Sequence, residues 1–432
     1  VGAKGTVMKK KVLVKAPVLT RSGYGEHSRF VMRSLKKIED KIDLYLFPVP
    51  WGATGWLHED DEERRWLDGL VQKTAIYQRQ NPEHAHFDMS IQVTIPNEWE
   101  RLAPINVGVT AGIETSKVTA AWLAKANEMD RVITISEHSK HVYQNTVYEG
   151  VDRRTGAKSM LKLNKGIDVV HYPVKKFEEV DLNLNLTTDF NFLTVAQWGP
   201  RKNLNNTIGW FVEEFIDNPE VGLVVKTFER GNSILDRNRI TNSILSFLEN
   251  YENRKCKVYL LHGDMSDQEM HSLYTSPKIK ALISLTHGEG FGLPIFEAAY
   301  SGLPVLAPEW SGHIDFLFAP KKDKKTKKEK MKPHFARVKY DVAPVQDHVV
   351  WQGVIDKDSM WCYPQQGSYK MKLREMYKEY GRFKKHAKDL KKWVCAEFEQ
   401  EKQYDLFLKS MIPDHEELLT DDDFDDLFES MV

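Results

Sequence analysis

The sequence predicts an open α/β protein made of two parallel, Rossmann-like units in tandem. Three observations predict this: short apolar runs alternate with amphipathic helical patterns, the runs end in glycine-bearing or charged turns, and one aperiodic stretch divides the series in two. Parallel strands need such alternation, because each must be reached by a crossover connection. With 432 residues the chain is long enough for two cores of ordinary domain size.

Residues 1–7, VGAKGTV, precede Met8 and read as an expression remnant, so the natural chain is expected to begin at Met8. A buried strand is predicted from Val12 to Val18, then a glycine-containing turn, then a helix with Phe30, Val31, Leu35 and Ile38 on one face. Further strands are expected at IDLYLFPV, MSIQVTI, INVGVTA and RVITIS, and a helix at TAAWLAKANEM. These make a first unit, 8–180. Periodicity is lost from Lys175 to Asp189, which marks the boundary. A second unit, 187–372, opens with FNFLTVAQWGPRKN and continues through VGLVVKTF, KVYLLHGDM, IKALISL and LPVLAPEW. A helical pattern over 373–412 is expected to cross back onto the first unit, ahead of a tail at 413–432.

Composition excludes several classes. Hydrophobic content of 41% and charged content of 28% are those of a globular chain, and no apolar run approaches a membrane span, so no integral membrane association is expected. Cys256, Cys362 and Cys395 are far apart and form no CxxC pair, which argues against a disulfide framework or zinc site and for a reducing, cytoplasmic setting. The net charge of −1 conceals an asymmetry: nine acidic residues between Asp414 and Val432 leave the rest at +8. Eight lysines lie between Lys321 and Lys332, in a basic loop expected over 320–340. The Asp421–Asp423 run lies in the tail, away from any glycine turn, and reads as a solvated stretch, so no metal site is expected.

In open parallel sheets ligands sit outside the carboxyl ends of the strands, so the chemistry is sought in those turns. In SGYGEHS, Gly23 and Gly25 are expected to let the backbone approach a ligand at a helix start. In QWGPRKN, Arg201 and Lys202 stand together between strand and helix, where two cations are unfavourable unless they meet an anion such as a diphosphate. In SLTHGEGFGLPIFE, Glu289 precedes the flexible Gly290-Phe291-Gly292 turn and Glu297 falls eight residues on, in a helix expected to begin near Pro294. Carboxylates there accept hydrogen bonds from sugar hydroxyls, beside bare amides that suit a phosphate. Either glutamate alone would read as a helix-dipole partner.

EGFGLPIFE resembles the E-x7-E signature of retaining glycosyltransferases of family 4, which have the GT-B fold. GLPVLAPEWSGHIDFL, FLTVAQWGPRKNLNNTI and the segment from NVGVTAG to HSKHVY resemble other parts of the same group, so the likeness runs from about Val12 to Gln365. It implies two Rossmann-like domains facing each other across a cleft, with a C-terminal helix crossing back to the first. It further implies a nucleotide-diphosphate sugar, expected to be UDP-linked, as a metal-independent co-substrate with no other cofactor. Glu289 and the amides of Gly290, Phe291 and Gly292 would hold donor sugar and phosphate, and Glu297 the ribose hydroxyls. Arg201 and Lys202 would neutralise the leaving diphosphate, Met265 would line the donor side, and Gly23 and Gly25 would face them. Many members carry a histidine at a first-domain strand end, which MSIQVTIPNEW does not offer; Glu114, in GIETS, is the candidate replacement or a helix-capping residue.

For the acceptor, the basic run Lys321 to Lys332 suits a phosphate backbone, or is a solvated loop. The tail DDDFDDLFESMV resembles the sliding-clamp-binding tails of T-even-like phage replication proteins, with Phe424, Leu427 and Phe428 as contacts. Together these point to a phage enzyme acting in the host cytoplasm on a 5-hydroxymethylpyrimidine in double-stranded DNA, with Trp51 and Trp56 either contacting bases or packing in the core. The alternatives are a glycosyltransferase of cell-surface polysaccharide or lipopolysaccharide, a nucleotide-sugar epimerase, and a non-catalytic DNA-binding protein.

Overall fold

A computed structural model of the protein describes residues 9–83, 85–151, 154, 156–322 and 328–412. Two six-stranded sheets, parallel throughout, carry the architecture. From edge to edge the first runs Ile42–Pro48, Lys10–Ala16, Met89–Val93, Ile105–Val109, Arg131–Thr134 and Ile167–Val169. The second runs Lys257–Leu261, Val221–Phe228, Phe190–Gln197, Ile279–Ile283, Val305–Pro308 and Ala336–Val338. Most of these strands are buried on both faces, which is why they read as continuous apolar runs rather than alternating ones. Between the sheets, residues 170–188 form neither helix nor strand.

Each sheet reverses its direction of growth once. In the second sheet this happens between Phe190–Gln197 and Ile279–Ile283, so the loops leaving these two neighbours diverge and open a crevice. The first loop carries Arg201 and Lys202; the other carries Glu289. The first sheet reverses between Lys10–Ala16 and Met89–Val93, and the loop after the former carries the SGYG turn.

The helical C-terminal pattern is three helices rather than one, Gln366–Lys378, Tyr380–Glu397 and Gln400–Ser410, and it begins before residue 373. The first two stay with the second sheet: Tyr369, Leu373 and Met376 join its outer core, while Leu390 and Val394 pack with Phe296 and Ala299. After a break at Phe398, capped by the Glu399 carboxylate, the last helix lays Tyr404, Phe407 and Leu408, and the two residues after it Met411 and Ile412, into the core of the first sheet beside Phe30 and Leu35. Crossing over is favourable because it buries this apolar face, roughly 1.5 to 3 kcal/mol for each large side chain.

In the lysine-rich segment the strands Phe318–Lys322 and Glu329–Pro333 pair as an antiparallel hairpin; residues 323–327 lie outside the described residues. Pairing of the flanking strands gives their backbone a ladder while the lysines stay exposed. The tail with Phe424, Leu427, Phe428 and Asp421–Asp423 also lies outside the described residues. Among the described residues, no helix is long and apolar enough to cross a membrane.

The two units touch through backbone. A Cβ on Gly288 would overlap the carbonyl of Glu114, and one on Gly290 the carbonyl of Ala111. G288A is therefore expected to hold the domains apart: for the transferase activity that the resemblance implies, kcat should fall by about 100-fold, as small misplacements of reacting groups do, with affinity for the implied UDP within a few-fold of wild type. Isothermal titration beside steady-state kinetics checks this, and an unchanged kcat would show the contact to be incidental.

Candidate active site

The crevices of the two sheets face each other across one cleft of about 810 Å³. At its centre Glu289 is only 6% exposed. Its backbone N–H donates to Ser311 Oγ (2.9 Å) and its carbonyl accepts from Gly312 N (2.9 Å), so the loop is fixed on both sides. Arg201 Nη1 lies 3.0 Å from Glu289 Oε2, and Lys202 Nζ lies 2.5 Å from Oε1. Arg201 Nη1 also donates to the carbonyl of Gly288 (2.7 Å), and His287 N donates to the carbonyl of Arg201 (2.8 Å). These bonds stitch the two diverging loops together.

The local sequence explains how the cations are presented. Pro200–Lys202 is a single 3-10 turn, and Asn203 follows in the left-handed region, φ 54°, which Asn tolerates better than most residues. Asn203 Nδ2 donates to the carbonyl of Leu285, anchoring the turn before helix Leu204–Glu214 starts. Opposite, helix Leu293–Ser301 begins after Gly292 at φ 92°, with Pro294 in its first turn and no side-chain cap. Pro294 has no N–H and the Ile295 and Phe296 amides donate to the Gly292 carbonyl (3.0 and 2.9 Å), so in this first turn it is the Leu293 amide that is left for an anion.

Electrostatics follow from this geometry. Burial alone would raise the Glu289 carboxyl, but Lys202 and Arg201 override it and hold the group down at about 2. Burial, reinforced by Arg201, lowers the Lys202 ammonium below its usual range. Glu297 behaves oppositely: burial raises it to about 7, against the hydrogen bond it accepts from the Tyr274 hydroxyl at 2.9 Å. If Glu297 accepts hydrogen bonds from a ligand's diol, ligand affinity follows its ionised form. The KM for donor is then expected to rise about tenfold as pH falls from 8 to 6, and E297Q should flatten that dependence. A pH-independent KM in wild type would remove Glu297 from the donor site.

Of the residues singled out in the sequence, Gly23, Glu114, Arg201, Lys202, Met265, Glu289, Gly290, Phe291, Gly292 and Glu297 all line the cleft. Gly25 does not. It sits inside the first turn of helix Gly23–Lys36, its N–H donates to the capping Ser22 Oγ (2.9 Å), and a Cβ would overlap the Thr20 carbonyl. Close chain packing explains this glycine, not a ligand. Glu114 caps no helix; it lies on a loop with Oε1 3.7 Å from Arg201 Nη2. Met265 contributes its carbonyl, which accepts from Arg21 Nη1 (3.3 Å) across the domain gap. Trp51 lines the cleft with its ring 4.2 Å from that of Tyr24, whereas Trp56 is largely exposed and outside it.

Sequence reading missed Lys226, a buried cleft residue on strand Val221–Phe228 whose ammonium donates to the Gly263 carbonyl. A lysine interrupting the apolar run VGLVVKTF was a visible signal. Ser311 and Tyr274, which position the two glutamates, had no comparable signal, since they come from a later turn and from helix Asp267–Thr275. Among the described residues the lysine hairpin contributes nothing to the cleft lining.

Comparison with solved structures decides the architecture. The protein superposes on Anabaena Alr3699/HepE in complex with UDP and glucose with a TM-score of 0.56, covering 94% of this chain and 99% of that one at 13% identity. A UDP-forming α,α-trehalose-phosphate synthase from Burkholderia xenovorans gives 0.57, with 94% and 99% covered at 10% identity. The fold is GT-B. The C-terminal crossover helix belongs to that fold as expected from the sequence. In sequence, the chain is 29% identical to the Escherichia coli serotype-specific mannosyltransferase WbdA over 116 residues, 27% of this chain and 13% of that protein. No family model matches the chain.

Proposed function

We propose that the protein is a retaining glycosyltransferase of the family 4 type, moving a sugar from a UDP-sugar to an acceptor hydroxyl. One observation carries this reading: a buried carboxylate, Glu289, held between Arg201 and Lys202 beside an uncapped helix start, with Glu297 further along that helix in the same cleft. A diphosphate placed against the two cations would be bound by a planar fork and a point charge together. Glu289 would then turn its acceptor oxygens to the sugar hydroxyls, the Gly290–Gly292 amides would meet the phosphate, and Glu297 the ribose. Solved relatives of this fold with UDP and glucose bound support the choice of donor.

Transfer breaks the bond between the anomeric carbon and the phosphate oxygen and forms one to the acceptor oxygen. The acceptor's proton goes to the departing phosphate, so no side-chain base is needed. Among the described residues no histidine lines the cleft, and Glu114 is the first-domain carboxylate nearest Arg201. The protein's share is therefore positioning and charge stabilisation. Arg201 and Lys202 supply the countercharge in this reading, and activity is expected to persist in EDTA.

The acceptor is taken to be a saccharide. The WbdA likeness favours it over DNA, and the described residues of the lysine hairpin contribute nothing to the cleft lining. The test offers labelled nucleotide sugars with oligosaccharides, duplex DNA containing 5-hydroxymethylcytosine or 5-hydroxymethyluracil, and unmodified DNA. Label on a saccharide supports the reading in full; label on modified DNA keeps the transferase and replaces its acceptor. Epimerised donor without transfer, or no turnover of any nucleotide sugar, overturns it.

A further inference from the structure

Past the second sheet the chain makes an antiparallel hairpin, Tyr340–Pro344 with Met360–Pro364, whose connecting segment 345–359 reaches out of its own domain. Its root is tied beside the candidate donor site: Cys362 N donates to the His287 carbonyl (3.0 Å), and His287 Nδ1 meets the Cys362 carbonyl (2.7 Å), two residues before Glu289. Its tip is tied to the other domain. Thr119 Oγ1 donates to the Gly353 carbonyl (3.1 Å), the Tyr148 hydroxyl to Asp356 Oδ2 (2.7 Å), and Lys117 Nζ pairs with Asp358 Oδ2 (2.5 Å). Val354 packs on the first-domain cluster around Trp99 and Trp122. The segment is a strap across one end of the cleft.

Seen from the cleft, the strap is an apolar wall. Val349, Trp351, Val354 and Ile355 line the cavity from its side, with Trp51 from the first domain also in the lining. Trp351 is 60% exposed, a large indole left open inside a concave site rather than packed away. Such a surface is where a ligand with an apolar face gains most.

Charge decides which ligand. Seven basic and six acidic side chains line the cleft, so binding one diphosphate uses up the positive excess. Of the cations outside the donor loops, four are matched by carboxylates: Arg21 with Glu59 and Asp264, Arg29 with Glu26, Lys117 with Asp358, Lys175 with Glu26 and Asp267; the fifth, Lys226, is buried and donates to the Gly263 carbonyl. Apart from the buried Lys226 on the second-domain side, a phosphodiester backbone would find no cation in the lining without a carboxylate beside it.

We propose that the strap forms the acceptor subsite and that a neutral pyranose ring of a saccharide seats its C–H face on the Trp351 indole. The inference rests on the proposed transferase reading. By spanning both domains, the strap sets this ring's distance from the donor loops, which makes Trp351 a specificity-determining residue.

The test uses the full chain in two steps. UDP affinity is measured first, by calorimetry, for wild type, W351A and W351F. The UDP-saturated proteins are then titrated with maltotriose, mannotriose, chitotriose and 5-hydroxymethylcytosine duplex DNA, with tryptophan fluorescence as a second readout. The expected result is saturable binding of at least one trisaccharide, about tenfold weaker in W351A and largely kept in W351F, with UDP affinity equal in all three. Absence of trisaccharide binding, equal binding by W351A, or DNA binding that W351A weakens overturns the subsite. Failure of wild type to bind UDP overturns the donor reading as well, and it is visible before any acceptor is added.

Discussion

Replacing Glu289 with alanine is expected to lower kcat by at least about 1,000-fold, the upper range for loss of one preorganised electrostatic partner in an active site. The structure adds a second effect. Without the carboxylate, Arg201 and Lys202 face each other at the bottom of the cleft with only the longer Glu114 contact, 3.7 Å from Arg201, as countercharge. Removing one partner from a fully buried pair costs about 3 to 5 kcal/mol; here roughly 1 to 3 kcal/mol is expected, because the Arg201 and Lys202 side chains keep 30% and 17% exposure. UDP would supply the missing negative charge. It should therefore raise the apparent Tm of E289A by more than it raises that of wild type, in line with tighter binding to the native state. Thermal scans with and without UDP, run beside the transfer assay, decide the matter. A variant with wild-type kcat, or one whose Tm gains less from UDP than wild type, would remove Glu289 from the site.

Lys202→Ala should lower kcat/KM for the donor by about 100- to 1,000-fold. In the proposed reading its ammonium is one of two charges that meet a departing diphosphate, and Arg201 would not replace it from its own position. The pH profile gives an independent readout. Burial and Arg201 lower the Lys202 ammonium, so the cation is lost on the alkaline side earlier than an ordinary lysine would lose it. Donor kcat/KM is accordingly expected to have an alkaline limb, and K202R, which keeps its charge throughout, should lack it whatever activity it retains. An alkaline limb that persists in K202R belongs to another group.

Much of the site was legible because it is local. Glu289, Gly290, Phe291, Gly292 and Glu297 fall within nine residues of sequence, and the spacing alone sets a loop, a helix start and a carboxylate along that helix. Arg201 and Lys202 were legible for a different reason: two adjacent cations ahead of a helix cost energy without an anion. The same local reasoning failed at Gly25. A glycine in a tight turn looks the same whether its missing side chain makes room for a ligand or, as here, for the carbonyl of Thr20.

By itself the sequence determined the alternation of apolar runs with helical patterns, the turn that carries Glu289 and the helix that carries Glu297, because hydrophobic period, glycine placement and proline are properties of neighbouring residues. Only the tertiary structure decided that Glu289 stands between Arg201 and Lys202, some ninety residues earlier, since this depends on the sheet placing two non-consecutive strands side by side. It alone decided that the crossover is made by the last of three helices, and that the strands Phe318–Lys322 and Glu329–Pro333 pair with each other outside the cleft lining. The same holds for segment 345–359, which carries no helical or strand period. Its role as a strap comes from Thr119, Tyr148 and Lys117, polar partners more than two hundred residues away, and no local pattern encodes a bond of that range.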